Sequence, residues 1–211
     1  MRDLKSEDID EGLYSRQLYV LGVDAMLKMQ NSDILISGLG GLGIEIAKNV
    51  ILGGVRSVTL HDQAKCTLKD LSSQFYLNKH SLGCNRAEHC SKQLSELNSY
   101  VTTNVLTEDL TEDILKLSKV VILTEASDKE QKRISKICRS NKISLIIADT
   151  KGLFGQVFCD FGENFICYDS DGLALKTSQI LSVSKENEGV ITTEKWHNLL
   201  DGEYVTITGV S

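Results

Sequence analysis

The 211-residue sequence predicts a doubly wound α/β domain with a mostly parallel sheet, followed by a β-rich C-terminal segment. Three observations carry this expectation. Short apolar runs without a polar break, as at 34–36 and 120–123, mark strands covered by helices on both faces. These runs alternate with stretches of helical periodicity. Past Gly155 the pattern changes to brief β segments punctuated by glycine.

Taken in order, residues 1–11 are mostly charged and polar, and 1–12 are expected to be a flexible N-terminus, neither signal nor anchor. From 13 to 29 apolar residues recur at helical spacing, with Leu18, Leu21, Ala25 and Met29 along one side. Gly22 and Asp24 interrupt this stretch, which predicts two short helices. A strand at 34–37 leads into a helix at 44–52, stopped by Gly53-Gly54, and a second strand at 57–62 ends on Asp62. Residues 33–62 thus form a βαβ unit of ordinary size, with parallel strands and a right-handed crossover.

Ala87, Cys90, Leu94 and Leu97 share one face of a helix expected over 86–100. Strands follow at 101–106 and 120–123, then a charged helix at 128–139 and a buried strand at 143–148. Beyond these, 157–161, 165–168, 180–183, 190–193 and 204–208 are expected as short strands of antiparallel character. A domain boundary is expected near Asp169, dividing 13–168 from 169–211.

Composition narrows the function classes. Apolar residues make up 41% and charged residues 25%, as in globular chains with a packed core. Asp plus Glu number 29 against 23 Lys plus Arg, a formal charge of −6 with no long basic run, which disfavours nucleic-acid partners. No apolar stretch approaches the ~20 residues that cross a bilayer, so no membrane partner is expected. Six cysteines lie scattered without C-x-x-C spacing, which predicts free thiols in a reducing cytoplasmic or nuclear compartment. The four histidines have no metal-ligand spacing, and no metal site is expected.

Residues 38–43 read Gly-Leu-Gly-Gly-Leu-Gly and fit G-x-G-x-x-G between a strand and a helix. Glycines at 38 and 40 permit a tight turn that brings backbone N–H groups toward an anion, and Gly43 lets the helix pack on the sheet. The helix directs its positive end at the same point. Asp62, nineteen residues past Gly43, stands where an acid can accept from a ribose hydroxyl. Gly38, Gly40, Gly41, Gly43 and Asp62 are therefore the candidate cofactor-binding residues of a Rossmann-like unit. The spacing leaves the nucleotide open: a dinucleotide for hydride transfer, or ATP for adenylation.

A more specific signal comes from blocks spread over most of the chain. Residues 13–22 (LYSRQLYVLG), 38–49 (GLGGLGIEIAKN), 58–62 (VTLHD), 70–75 (DLSSQF), 85–88 (NRAE), 96–100 (ELNSY) and 148–162 (ADTKGLFGQVFCDFG) together resemble ubiquitin-activating enzymes. The resemblance implies the N-terminal, inactive adenylation half of such an enzyme over 13–168. It implies part of the first catalytic-cysteine half-domain over 169–211. For the whole enzyme it implies adenylation of the ubiquitin C-terminus with ATP and Mg²⁺, then thioester formation. The implied partners are the active adenylation half, ubiquitin and, through the full-length protein, ubiquitin-conjugating enzymes. The thioester cysteine of the family lies beyond Ser211, and none of the six cysteines here matches it.

The departures from the active half's pattern point to loss of catalysis. Where active halves have S-N-L-N-R-Q-F, this chain reads Lys69-Asp70-Leu71-Ser72-Ser73-Gln74-Phe75, with Ser73 in place of the arginine. The two lysines of G-K-x-K-A are replaced by Cys84 and Arg86, and the L-D-N that holds Mg²⁺ becomes Leu123-Thr124-Glu125. Without those groups the charge developing on phosphate goes unneutralised, so the glycine turn and Asp62 are expected to be vestigial and to bind no cofactor productively. Arg16 is the exception. Within the intact Tyr14-Ser15-Arg16-Gln17, the resemblance implies an arginine that reaches in trans to ATP held by the active half. An alternative resemblance is the small regulatory subunit of a heterodimeric ubiquitin-like-modifier activator. An NAD-dependent oxidoreductase and a bacterial-type adenylyltransferase homodimer are further readings, the last lacking the arginine and aspartate it needs.

Overall fold

The computed structural model describes residues 9–167 and 177–209. The chain divides into two compact units, Met1–Phe165 and Ile166–Ser211. In the first unit the elements run α1 (Glu11–Gln30), β1 (Asp33–Ser37), α2 (Gly41–Gly53), β2 (Ser57–His61), α3 (Arg86–Ser95), β3 (Thr102–Leu106), α4 (Glu112–Leu115), β4 (Val120–Leu123), α5 (Asp128–Ser140), β5 (Ser144–Lys151) and β6 (Phe154–Asp160).

Six strands form one sheet in the order β3-β2-β1-β4-β5-β6. All neighbours from β3 to β5 are parallel; β6 closes the edge antiparallel to β5, with Leu145 opposite Asp160 and Lys151 opposite Phe154. The predicted α/β class is the observed one. Side chains alternate across the sheet as a strand requires. Ile34 and Ile36 of β1 pack with Ile44, Ala47 and Ile51 of α2 and with Cys90 and Leu94 of α3. Leu35, between them, packs on the opposite face with Leu115 of α4 and Ile134 and Cys138 of α5. Sheet connections reverse between β1 and β4, and in open α/β sheets ligands bind where the strand order switches, beyond the carboxyl ends.

The Asp10 side chain caps α1 by accepting from the Leu13 N–H at 3.0 Å. Gly22, at φ 77° and ψ 168°, breaks this helix into the two expected pieces. The break shifts the helical phase: Tyr14 and Met26 are buried, whereas Leu21 is 46% exposed. Helix α3 stops at Ser95, short of the expected 100. The reason is Asn98, whose amide donates to the Tyr14 hydroxyl at 2.9 Å and to the Ile51 carbonyl at 3.1 Å, while its oxygen accepts from the Tyr100 N–H. Those bonds replace helical ones.

The second unit holds an antiparallel hairpin, β7 (Ile180–Val183) with β8 (Ile191–Thr193). Two expected strands find no ladder partner among the described residues: 204–208, and 165–167 of the expected 165–168, whose last residue lies outside them. β-forming side chains without a neighbouring strand do not make one, and Tyr204 is fully exposed. The segment expected at 157–161 pairs instead as β6 of the main sheet. The expected boundary near Asp169 lies outside the described residues, as do residues 1–8 of the N-terminal segment.

Candidate functional site

The glycine turn lies at the carboxyl end of β1, and its glycines are there because nothing larger fits. Gly38 has φ 90°, and its N–H donates to the His61 carbonyl at 2.9 Å. A Cβ on Gly43 would collide with the Gly38 carbonyl oxygen, and one on Gly38 with the Thr124 carbonyl. Across this contact the Thr124 hydroxyl donates to the Gly38 carbonyl at 2.7 Å, joining β1 to β4. Helix α2 starts at Gly41 with no side chain capping it. A Cβ on Gly41 would come within 2.8 Å of Ser73. Gln74, fully buried, holds the same loop down by donating to the Leu39 carbonyl at 3.3 Å.

Asp62 is where the spacing places it, but its carboxylate is fully engaged within the chain. One oxygen accepts from the Leu39 N–H at 2.7 Å and from Arg86 Nε at 2.8 Å; the other accepts from the Ala64 N–H at 2.8 Å. The acid braces the glycine turn from behind, at 4% exposure.

Arg86 is the centre of the arrangement. From the start of α3 its guanidinium reaches three carboxylates: Asp62, Asp70 at 2.9 Å and Glu125 at 2.8 Å. These come from the end of β2, the 70s loop and the end of β4. Burial disfavours the Arg86 charge, but the facing Asp62 and Glu125 outweigh it and raise its pKa further. Burial likewise pushes Asp70 up, and the Thr67 and Arg86 hydrogen bonds outweigh it, holding the carboxyl below the usual range. Glu125 sits at φ 57°, a conformation uncommon for a side-chain-bearing residue. Its N–H donates to Asp149 at 3.1 Å, and its carboxylate lies where a Cβ on Gly40 would be.

A cleft of about 730 Å³ opens beside this network. Its ionisable lining includes Asp62, Asp109, Glu125 and Glu130 against Arg86 and Arg133. Arg133 is itself paired with Glu130. His61 contributes no charge there: its Nε2 faces the Glu108 carbonyl at 2.9 Å and its Nδ1 the Ser37 hydroxyl at 2.8 Å. Burial pulls its pKa below the ordinary histidine value, which keeps the ring neutral. ATP does not fit this donor set: among the described lining residues Arg86 and Arg133 already serve carboxylates, and an acid lies over the turn.

Arg16 stands apart from this site on the exposed side of α1. Leu13 (56% exposed), Tyr19 (92%) and Val20 (77%) surround it in sequence. The structure therefore brings Gly38, Gly40, Gly41, Gly43 and Asp62 together and leaves Arg16 outside. Sequence reasoning treated Asp70, Arg86 and Glu125 separately and missed that they meet. The signal available was positional for two of them: Arg86 opens α3 and Glu125 follows β4, whereas Asp70 lies inside the β2–α3 connection with no such mark.

Among the described residues no helix is long and apolar enough to cross a membrane, and no cluster of three His, Cys, Asp or Glu is arranged to hold a metal.

Comparison with known proteins matches the model of the ThiF family over residues 14–192. The chain is similar to the N-terminal region of ubiquitin-like modifier-activating enzymes. It is 52% identical over 205 residues to ubiquitin-like modifier-activating enzyme 1 of Oryctolagus cuniculus, covering 96% of this chain and 19% of that protein. It is 48% identical over 202 residues to ubiquitin-activating enzyme E1 1 of Schizosaccharomyces pombe, covering 96% and 20%. Against human ubiquitin-like modifier-activating enzyme 7 it is 43% identical over 208 residues, covering 97% and 21%. The chain thus spans about a fifth of the length of these curated relatives. Among solved structures, E. coli tRNA N6-threonylcarbamoyladenosine dehydratase, TcdA, superposes with TM-score 0.58 at 20% identity, over 65% of this chain and 59% of that one, a likeness of fold. With the strand order, the glycine turn and the matched span in agreement, the chain belongs to the ThiF family.

Proposed function

We propose that this chain is the non-catalytic adenylation half, with part of the first catalytic-cysteine half-domain, at the N-terminus of a ubiquitin-activating enzyme of the cytoplasm and nucleus. It packs against the active adenylation half and lends it Arg16. The whole enzyme adenylates the ubiquitin C-terminus with Mg-ATP, forms a thioester and passes ubiquitin to conjugating enzymes; the Met1–Phe165 unit keeps the family's turn without its chemistry.

The observation that carries this reading is the Arg86 network. One guanidinium against three carboxylates leaves the surroundings of the turn with a net charge of about −2. Mg-free ATP carries roughly four negative charges, and each unit-charge pair at ~6 Å and an effective dielectric of ~20 costs about 3 kcal/mol. The positive end of α2, worth about half a charge, does not offset that.

Arg16 has the opposite setting. It is exposed, forms no ion pair with the described residues, and stands beside unpartnered apolar side chains on α1. Exposed apolar groups next to an unengaged guanidinium suit a covering partner whose phosphates the fork can bind. The test is Arg16→Ala in the full-length protein, read by ubiquitin-dependent ATP–pyrophosphate exchange. Loss of one charge-assisted contact predicts exchange slowed by at least ~10-fold with an unchanged melting temperature. Exchange at the wild-type rate contradicts the assignment.

A further inference from the structure

The segment between β2 and α3 folds back on itself and sets the backbones of two cysteines opposite each other. Lys65 and Asn85 form an isolated antiparallel bridge. One step inward, the Cys66 N–H donates to the Cys84 carbonyl at 2.8 Å, and the Gly83 N–H donates to the Cys66 carbonyl at 2.9 Å. Gly83 takes φ 81°. This is a glycine bulge, with Gly83 and Cys84 on one strand opposing Cys66 on the other. Residues opposed in an antiparallel pair have Cα atoms ~4.5–5.5 Å apart, inside the span a disulfide bridges.

The two thiols differ in access. Cys84 is exposed and Cys66 is 3% exposed. Burial raises the Cys66 thiol above its ordinary range, Asp70 and Cys84 add to this, and Arg86 opposes it. Cys66 is thus a shielded thiol, its sulfur 3.7 Å from the Thr67 carbonyl, next to an accessible one. Elsewhere, Cys90 and Cys138 are buried on α3 and α5; Cys159 and Cys167 are exposed, and Cys159 stands opposite Ile146 in the β5–β6 ladder, not opposite a cysteine.

We propose that Cys66 and Cys84 form a reversible disulfide in response to hydrogen peroxide, a modification site that closes the 66–84 loop. Peroxide oxidises the Cys84 thiolate to a sulfenic acid and leaves as hydroxide. The Cys66 sulfur then attacks Cys84 sulfur, the S–S bond forms, and water departs; in sum two thiols and one peroxide give one disulfide and two waters. The loop so closed carries Asp70, which binds Arg86, Ser73 against Gly41, and Gln74 on the Leu39 carbonyl. Oxidation clamps it onto the glycine turn.

The experiment treats the chain with hydrogen peroxide, unfolds it, alkylates the remaining thiols and maps tryptic peptides. The expected product joins peptides 66–69 and 80–86, lacks both alkyl groups, and reverts with dithiothreitol. Closing a loop of this length raises the melting temperature by roughly 5–10 °C, and Cys84→Ser, a substitution at an exposed position, abolishes both the linked peptide and the rise. Cys66→Ala provides the reciprocal control. Conversion of Cys84 to sulfinic acid, or its linkage to another cysteine, with Cys66 fully alkylated after unfolding, overturns the proposal.

Discussion

Replacing Arg86 by alanine removes the cation that Asp62, Asp70 and Glu125 share. The three carboxylates do not lose equally. The Asp62 side chain is 4% exposed and that of Asp70 15%, so both become unpaired acids in a largely dry setting; that of Glu125, at 48%, turns to water. Breaking a buried pair costs about 3–5 kcal/mol, while an exposed one contributes about 0–1 kcal/mol. The N–H groups of Leu39 and Ala64 still hold Asp62, which sets the expectation near the lower end, about 3–4 kcal/mol. All helices among the described residues lie in the Met1–Phe165 unit, so far-UV circular dichroism reports its unfolding in urea. With a slope of about 2–3 kcal/mol per molar, Arg86→Ala lowers the midpoint by about 1–2 M. Arg86→Lys keeps the charge but not the three-way fork, and falls between the two. A midpoint for Arg86→Ala within ~0.2 M of wild type refutes the network as a bracing element.

Two further outcomes follow from the same geometry. Because burial holds the His61 pKa below the unfolded value of ~6.5, the native state binds fewer protons there; stability is complete above ~6.5 and declines as pH falls below it. His61→Asn therefore flattens the loss of stability between pH 7 and 5, and an identical pH profile for both proteins contradicts a buried neutral ring. Gly43→Ala pushes a methyl group into the Gly38 carbonyl oxygen, with an expected loss of about 1–3 kcal/mol in the same urea assay; no loss shows that the turn is looser than the contact requires.

The parts of the fold legible in the sequence are those that local pattern dictates. The run at 34–36 alternates its side chains between two helical layers, so an uninterrupted apolar segment was enough to place β1 and its partners. Gly22 also announced the break in α1. Features set by long-range contact were not legible. Asn98 ends α3 through Tyr14, eighty-four residues away, and no local signal marks that. The tail's β-forming residues at 204–208 lack a partner, which propensity cannot reveal. The site divides the same way. Its glycines and Asp62 were found by spacing, but spacing did not show that Asp62 serves Leu39, Ala64 and Arg86. That depends on β2, β4 and the 70s loop converging at one end of the sheet.

Under the proposed function, the turn at 38–43 persists as architecture without adenylation chemistry. When the 211-residue chain is mixed with Mg-ATP, ubiquitin and labelled pyrophosphate, no label is then expected to enter ATP, with or without ubiquitin. Ubiquitin-dependent incorporation of label by this chain alone contradicts it.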